Sequence, residues 1–377
     1  MKSRFTRVTL VLLVLILCAG VVFVGCKKKE TGSIKIGVGG AHSGDLASYG
    51  IPTVKAAELV VEEVNAAGGV LGRQIELVVE DDQCKEEVAS NTASKLVGEG
   101  VVAVIGHICS GATESALSIY KDSEVVCVSP SATKVELTLS GNYPNFFRSI
   151  AHDEMQAALN VDFAMNTLGL KSFAIMHDKG AYGKGFAEYC REKVEAAGGS
   201  VVMFEGVDPG KPDYTAVIAK VDNSGAEALI WGGYHPEASK IVAQMRNKGI
   251  DIPFLSDDGV KDDTFIDVAG EFAEGVYATG PQDTTANPLA KKAIDAHMEK
   301  YGEEPGAFFL NAYAATMAVI NAIEKAGTTD YEAVAQALRD EFVDTPLGKI
   351  SFDDKGDVEG FGFSVFQVKN GAYVELK

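Results

Sequence analysis

Beyond Ser33 the chain alternates short unbroken apolar runs with longer stretches whose apolar residues recur at three- and four-residue spacing. The first pattern predicts buried strands and the second amphipathic helices. IKIGVGG, at 34–40, reads as a strand; 53–67 reads as a helix stopped by Gly68-Gly69; QIELVVEDD is the next strand. The cycle repeats through a helix over 85–98, a strand opening at Val101, a helix after Ser110, and EVVCVSP. A second series starts near His152: a helix over 155–168, SFAIMHD, a helix over 184–197, SVVMFE, a helix over 214–223, ALIWGG, a helix over 236–248, IPFLS and GVYATG. Strands alternating with helices of this length predict βαβ units and parallel sheets, here as two α/β lobes. Helical stretches over 288–301, 306–326 and 331–341 follow, then KISFDD and the hairpin pattern GFSVFQVKNGAYVEL, so the chain crosses between lobes more than once.

The stretch VVAVIGHICSGAT, 101–113, joins a buried strand to a helix that opens on small and hydroxylated residues. Unpaired N–H groups at such a helix start, with the positive end of the helix dipole, can seat a small anion. Ser110 marks that seat. Ligands of open α/β sheets bind beyond the strand C-termini, and the space between lobes is a preferred place. The residues at those ends include Asp81-Asp82, 110–113, 129–133, 177–182, 232–235 and 256–259.

The first 25 residues are a separate object. Lys2, Arg4 and Arg7 precede an apolar run to Val24, the pattern of a secretory signal. Phe23-Val24-Gly25-Cys26 resembles a bacterial lipoprotein cleavage box in which the Cys is acylated, with Phe23 in place of the usual Leu. Residues 26–33 then read as a tether; the alternative is an uncleaved anchor helix, since the apolar run is close to the ~17 residues needed to span a bilayer. The chain has 34 Lys and Arg against 53 Asp and Glu; without the three basic residues of the signal the net charge is −22. Such a surface repels phosphate backbones, so nucleic acid is excluded as a partner.

Cys84, Cys109, Cys127 and Cys190 remain for an oxidising compartment, where bridges persist. Cys84 and Cys109 both follow strand ends, and neighbouring parallel strands would bring them together, which makes them the best candidate pair. Cys127 and Cys190 read as buried thiols. His107, His177 and His235 lack the short spacing of a zinc site, so no metal is expected. A Cys109 nucleophile beside His107 would be consumed by the disulfide, and acid pairs such as Asp257-Asp258 read as solvated turns, so no catalytic residue is expected.

Taken together, IKIGVGGAHSGDLASYG, EEVNAAGGVLGRQIELVVEDDQC, GHICSGATESALSIY, VSPSATKVELT, HDKGAYGKG, WGGYHPEA and GAFFLNAYAA resemble the periplasmic branched-chain amino acid binding proteins of ABC importers. The resemblance runs in order from Ile34 to the C-terminus. It implies two doubly wound parallel-sheet lobes joined by three crossovers, the type I periplasmic binding protein fold. The lobes would comprise 34–150 plus 281–345 and 151–280 plus 346–377, hinged near Ser149-Ile150, Gly280-Pro281 and Thr345-Pro346.

The same resemblance implies the site. Ser110 and Thr133 would hold a ligand carboxylate; the Ser131 carbonyl, the Thr133 hydroxyl and Asp258 would hold its ammonium. Tyr49, Tyr182, Tyr234 and Phe308 would wall the side-chain pocket, and Cys84–Cys109 falls on the family disulfide. Asp258 is one methylene shorter than the family's common Glu, so reaching an ammonium would take a bridging water or a shifted closure. Ser131 stands where Ala is common, adding a hydroxyl near the amine. The implied function is a non-enzymatic receptor, without cofactor, that captures an aliphatic amino acid by lobe closure. It would act as a monomer, lipid-anchored in the periplasm or at the cell surface, and deliver the ligand to an ABC permease and its ATPase. The two departures leave open an amide, urea or polar amino acid as the ligand.

Overall fold

The computed structural model describes residues 32–376. The expected signal, Cys26 and nearly all of the expected tether lie outside them. Ile34–Lys377 forms one compact unit by its contacts, built on two large sheets.

In the first lobe β1 (Ile34–Gly40), α1 (Ala47–Ala66), β2 (Ile75–Asp81), α2 (Glu86–Gly98), β3 (Ala103–Ile105), α3 (Ser110–Asp122), β4 (Val126–Ser129) and β5 (Phe146–Arg148) follow in order. The strands form a five-stranded sheet in the order β2-β1-β3-β4-β5, with every pairing parallel. β3 and β4 are buried along their whole length, as their unbroken apolar runs require. Gly69 closes the turn after α1 at φ +80°, where a Cβ would stand 1.9 Å from the Arg73 carbonyl oxygen, so only glycine fits this helix stop.

The second lobe begins with α4 (Asp153–Asp162) and continues through β6 (Ser172–His177), α5 (Ala181–Ala196), β7 (Ser200–Gly206), α6 (Thr215–Ser224), β8 (Ala228–Gly232), α7 (His235–Asn247), β9 (Phe254–Ser256), α8 (Asp263–Ala269) and β10 (Tyr277–Pro281). The chain returns to the first lobe through α9 (Pro288–Tyr301), α10 (Phe309–Ala326), α11 (Tyr331–Asp340), β11 (Val343–Thr345), β12 (Gly348–Phe352) and β13 (Val358–Glu359). It ends with β14 (Phe363–Lys369) and β15 (Ala372–Glu375) in the second lobe. The second sheet runs β15-β14-β10-β9-β8-β6-β7. Its strands from β6 to β10 pair in parallel, while the terminal hairpin adds an antiparallel edge.

Both sheets carry helices on both faces. One core of the first lobe joins residues of α1, α9, α10 and α11, and the other joins α2 and α3. In the second lobe one core gathers α6, α7 and α8, and the opposite one α4 and α5. This is the doubly wound arrangement the alternation predicts.

The last lobe boundary falls later than 345/346. Leu347, Ile350, Phe352, Val358 and Phe361 all bury in the first lobe's core. Buried Arg148 donates to Asp357 at 2.5 Å and fixes that segment to β5. The third crossing is therefore near 360–362, where Phe363 packs with Ile150 and Ala151 of the first crossing. The alternation in KISFDD predicts a half-buried strand but carries no information on which lobe buries it.

Candidate functional site

The first lobe's contribution is fixed by the loop after β3. Gly106 has φ +122°, and a Cβ there would lie 1.9 Å from the Gly39 carbonyl oxygen. His107 is locked between Asp82, whose carboxylate meets Nδ1 at 2.5 Å, and the Tyr120 hydroxyl, 2.8 Å from Nε2. Cys109 is bonded to Cys84, with their Cα atoms 5.5 Å apart, so its thiol is spent. Ser110 then opens α3, and its hydroxyl accepts from the Lys134 N–H at 3.2 Å, drawing the loop after β4 alongside. That loop is folded by Ser129, which donates to the His107 carbonyl at 2.5 Å and accepts from the Ala132 N–H at 2.9 Å. The Ser131 hydroxyl donates to the Ile108 carbonyl at 2.8 Å. Its hydrogen is thus held by the loop, while its oxygen keeps acceptor capacity and Ser131 lines the cavity between the lobes.

The second lobe offers the loop after β9. Asp257 accepts from the Gly233 N–H at 2.8 Å. The Tyr182 hydroxyl donates to Asp258 and accepts from the Gly259 N–H at 2.9 Å. Far from being solvated turn residues, Asp257 and Asp258 are both buried. Burial pushes the Asp258 carboxyl up to about 6, against the pull of the Tyr182 hydrogen bond. Asp257 is driven well above the usual carboxylate range by burial and then by its neighbour Asp258.

Between the lobes lies a cavity of about 20 Å³ lined by Tyr49, Ile108, Ser110, Ser131, Tyr182, Tyr234, Asp258, Gly259 and Phe308. Of the expected ligand contacts, Thr133 alone is off this lining: it is fully buried, with its hydroxyl beside the Asp153 carboxylate. Tyr182 and Tyr234 lie 5.1 Å apart by ring centroids, and Tyr49 and Phe308 lie 5.7 Å apart. Tyr49 crosses between lobes and donates to the Gly259 carbonyl at 2.6 Å. Phe308 stands at φ +60°, a left-handed conformation that sets its ring at the start of α10.

Sequence reasoning missed two residues at the start of α4. Asp153 and Gln156 are buried beside this site, Asp153 against the Thr133 hydroxyl and Gln156 against Asp258. Burial, then the charge of Asp258, drives the Asp153 carboxyl well above its ordinary range. The available signal was the i, i+3, i+7 spacing of Asp153, Gln156 and Asn160, a polar face on a helix that must pack inward.

Residues 33–372 match the family described as periplasmic binding protein. The chain belongs to that family. A leucine-, isoleucine-, valine-, threonine- and alanine-binding protein of Pseudomonas aeruginosa is 39% identical over 346 residues, 92% of each chain. The crystal structure of a leucine binding protein from Thermotoga maritima is 29% identical with a TM-score of 0.85, covering 91% of this chain and 98% of that one. A branched-chain amino acid transporter substrate binding protein from Streptococcus pneumoniae, solved with isoleucine, is 31% identical with a TM-score of 0.82, covering 91% of this chain and all of the other. Among the described residues of this family member, no three His, Cys, Asp or Glu are grouped to hold a metal ion, and no helix is long and apolar enough to cross a membrane.

Proposed function

We propose that this chain is an extracytoplasmic, non-enzymatic receptor that captures a branched-chain L-amino acid between its lobes and delivers it to an ABC permease driven by its ATPase. The observation that carries the reading is the polarity of the cleft. A hydroxyl at a helix start, Ser110, faces a buried carboxylate, Asp258, across a cavity walled by aromatic rings. A zwitterion with an aliphatic side chain matches that polarity at both ends.

In this reading Ser110, the N–H groups opening α3 and the Thr133 hydroxyl take the ligand carboxylate. The Ser131 carbonyl, Thr133 and Asp258 take the ammonium, and Tyr49, Tyr182, Tyr234 and Phe308 enclose the side chain. The four aromatic rings on the lining favour an aliphatic side chain over the amide, urea or polar amino acid alternative. The names of the relatives, which bind leucine, isoleucine and valine and in one case also threonine and alanine, support a branched-chain ligand. Cys26 is acylated and tethers a monomer to a membrane facing the periplasm or cell surface; the intact mass of the mature chain reports the acyl groups.

Leucine, isoleucine or valine added to the purified protein raises its melting temperature in proportion to the logarithm of concentration. Absence of both a thermal shift and a calorimetric heat with any amino acid at millimolar concentration overturns the reading.

A further inference from the structure

One histidine sits in the seam between the lobes without lining the ligand cavity. His235 opens α7 of the second lobe, directly after the cavity residue Tyr234. Across the seam its Nε2 lies 3.3 Å from the Ser48 hydroxyl of α1, and its ring meets that of Tyr49 edge to face, 5.4 Å away by centroids. The residue is 3% exposed, and Nδ1 is buried with no hydrogen-bond partner. The carboxylates that act on the ring are Asp262, which caps α8, and Asp45, in the loop before α1. Asp262 is already committed to the Thr264 N–H at 2.8 Å, and the Tyr49 hydroxyl to the Gly259 carbonyl. Whichever ring nitrogen carries the single proton of the neutral form, a second proton leaves an N–H at Nδ1 with nothing to accept it. It also sets a positive charge at the positive end of the α7 dipole.

We propose that His235 makes lobe closure pH-sensitive: neutral, it packs into the closed seam; protonated, it holds the lobes apart, so that the receptor releases its ligand in acid. The proposal rests on the amino acid reading above, and it adds a control on that site rather than another contact to the ligand. Opening the lobes draws Ser48, Tyr49 and Asp45 away with the first lobe and returns the ring to water, where histidine titrates at about 6.5. In the closed arrangement burial lowers that value, against the pull of Asp262 and then of Asp45. Between the two values the open form binds a proton that the closed form does not, so acid shifts the population toward the open form. The contribution of His235 to affinity is thus fully present above the open-form value. It is lost as pH falls below it, by at most about tenfold per pH unit, until the closed form is protonated as well.

Asp258 titrates in the same range, so the test has to separate the two groups. Leucine affinity is measured by calorimetry at about pH 7.5 and about pH 5 for the wild type and for His235→Gln, whose amide is uncharged at both and can still pair with Ser48. The quantity read is the ratio of the two affinities within each protein, which a uniform loss in the variant leaves untouched. The wild-type ratio is expected to exceed that of the variant roughly 3- to 10-fold. Equal ratios, or a larger one in the variant, overturn the proposal and assign the acid sensitivity to the carboxylates of the cleft. A wild type that binds no amino acid at about pH 7.5 defeats the functional reading itself, and this inference with it. Should His235→Gln fail to fold, an NMR titration of the histidine-labelled wild type decides. Saturating leucine has to move the His235 midpoint to lower pH; an unchanged or raised midpoint overturns the proposal.

Discussion

Asp258 puts a cost on the unliganded fold that a bound ammonium would offset. Its carboxyl is pushed up to about 6 by burial, while in the unfolded chain it titrates near 4. Between those values the folded protein holds a proton the unfolded chain has released, so stability falls as pH rises through the window. The difference of about 2 units amounts to about 3 kcal/mol at neutral pH. Replacing Asp258 with Asn is therefore expected to stabilise the unliganded protein at pH 7 by up to about 3 kcal/mol and to flatten the slope between pH 4 and 6. Urea titrations across that range measure both effects; a variant no more stable than wild type at pH 7 contradicts the assignment. The sequence reading brought out most of this site because the lining residues sit at strand ends and helix starts, places that local pattern identifies. It read Asp257-Asp258 as solvated, since a pair of acids in a turn gives no sign that Tyr182 and Gly233 will close over it. Asp153 stayed hidden for the opposite reason: acids in a first helical turn are so common as dipole partners that this one looked ordinary.

At the scale of elements, the disulfide is the brace of the first-lobe wall. Cys109 immediately precedes α3, so the bond to Cys84 sets where Ser110 begins the helix. The bridge closes a loop of 25 residues in sequence separation. In the chain-entropy account such a loop contributes about 3.5 kcal/mol. A Cys84→Ala/Cys109→Ala double variant should lose about 2 to 4 kcal/mol in a denaturant titration and should bind leucine less tightly even where it is fully folded. Loss of stability with no loss of affinity would show that Ser110 is held by the Lys134 N–H and the Ser129 loop alone. The pairing was legible from strand ends, because adjacent parallel strands deliver their following residues to one edge of the sheet. The start of α1 was not. Pro52 favours a helix beginning just before it, yet the helix starts at Ala47 and carries the proline inside. Close packing beside Pro52, where a Cβ on Gly306 would meet its ring at 2.8 Å, accompanies this override of local preference. The extra turn holds Tyr49.

For the whole molecule, the relevant equilibrium is between open and closed lobes. Three strands of chain join them, near 149–152, 282–287 and 360–362, short segments between packed elements. The closed arrangement is latched by few polar contacts. They include Tyr49 to the Gly259 carbonyl at 2.6 Å, Ser48 to His235 at 3.3 Å, and Tyr189 to Glu136 at 3.4 Å, besides the Asp153 N–H to the Thr133 carbonyl at 2.9 Å beside the first crossing. The first is buried; it joins the α1 turn to the residue following Asp258, so it forms when the two walls of the site meet. Ligand affinity includes the free energy of closing, and a latch present only in the closed form adds to affinity without adding to the stability of either lobe. Tyr49→Phe keeps the ring against Phe308 and removes only the donor. It is expected to weaken leucine binding by about 0.5 to 1.5 kcal/mol, roughly 2- to 13-fold, the net worth of one hydrogen bond. Without ligand, the variant's unfolding midpoint should stay close to that of the wild type. Small-angle scattering should then show the variant needing a higher leucine concentration than wild type to reach the same compact form. An equal loss of unfolding stability and affinity would instead place the Tyr49 hydroxyl within the first lobe's own packing, and the latch would have to be sought in Ser48 and His235.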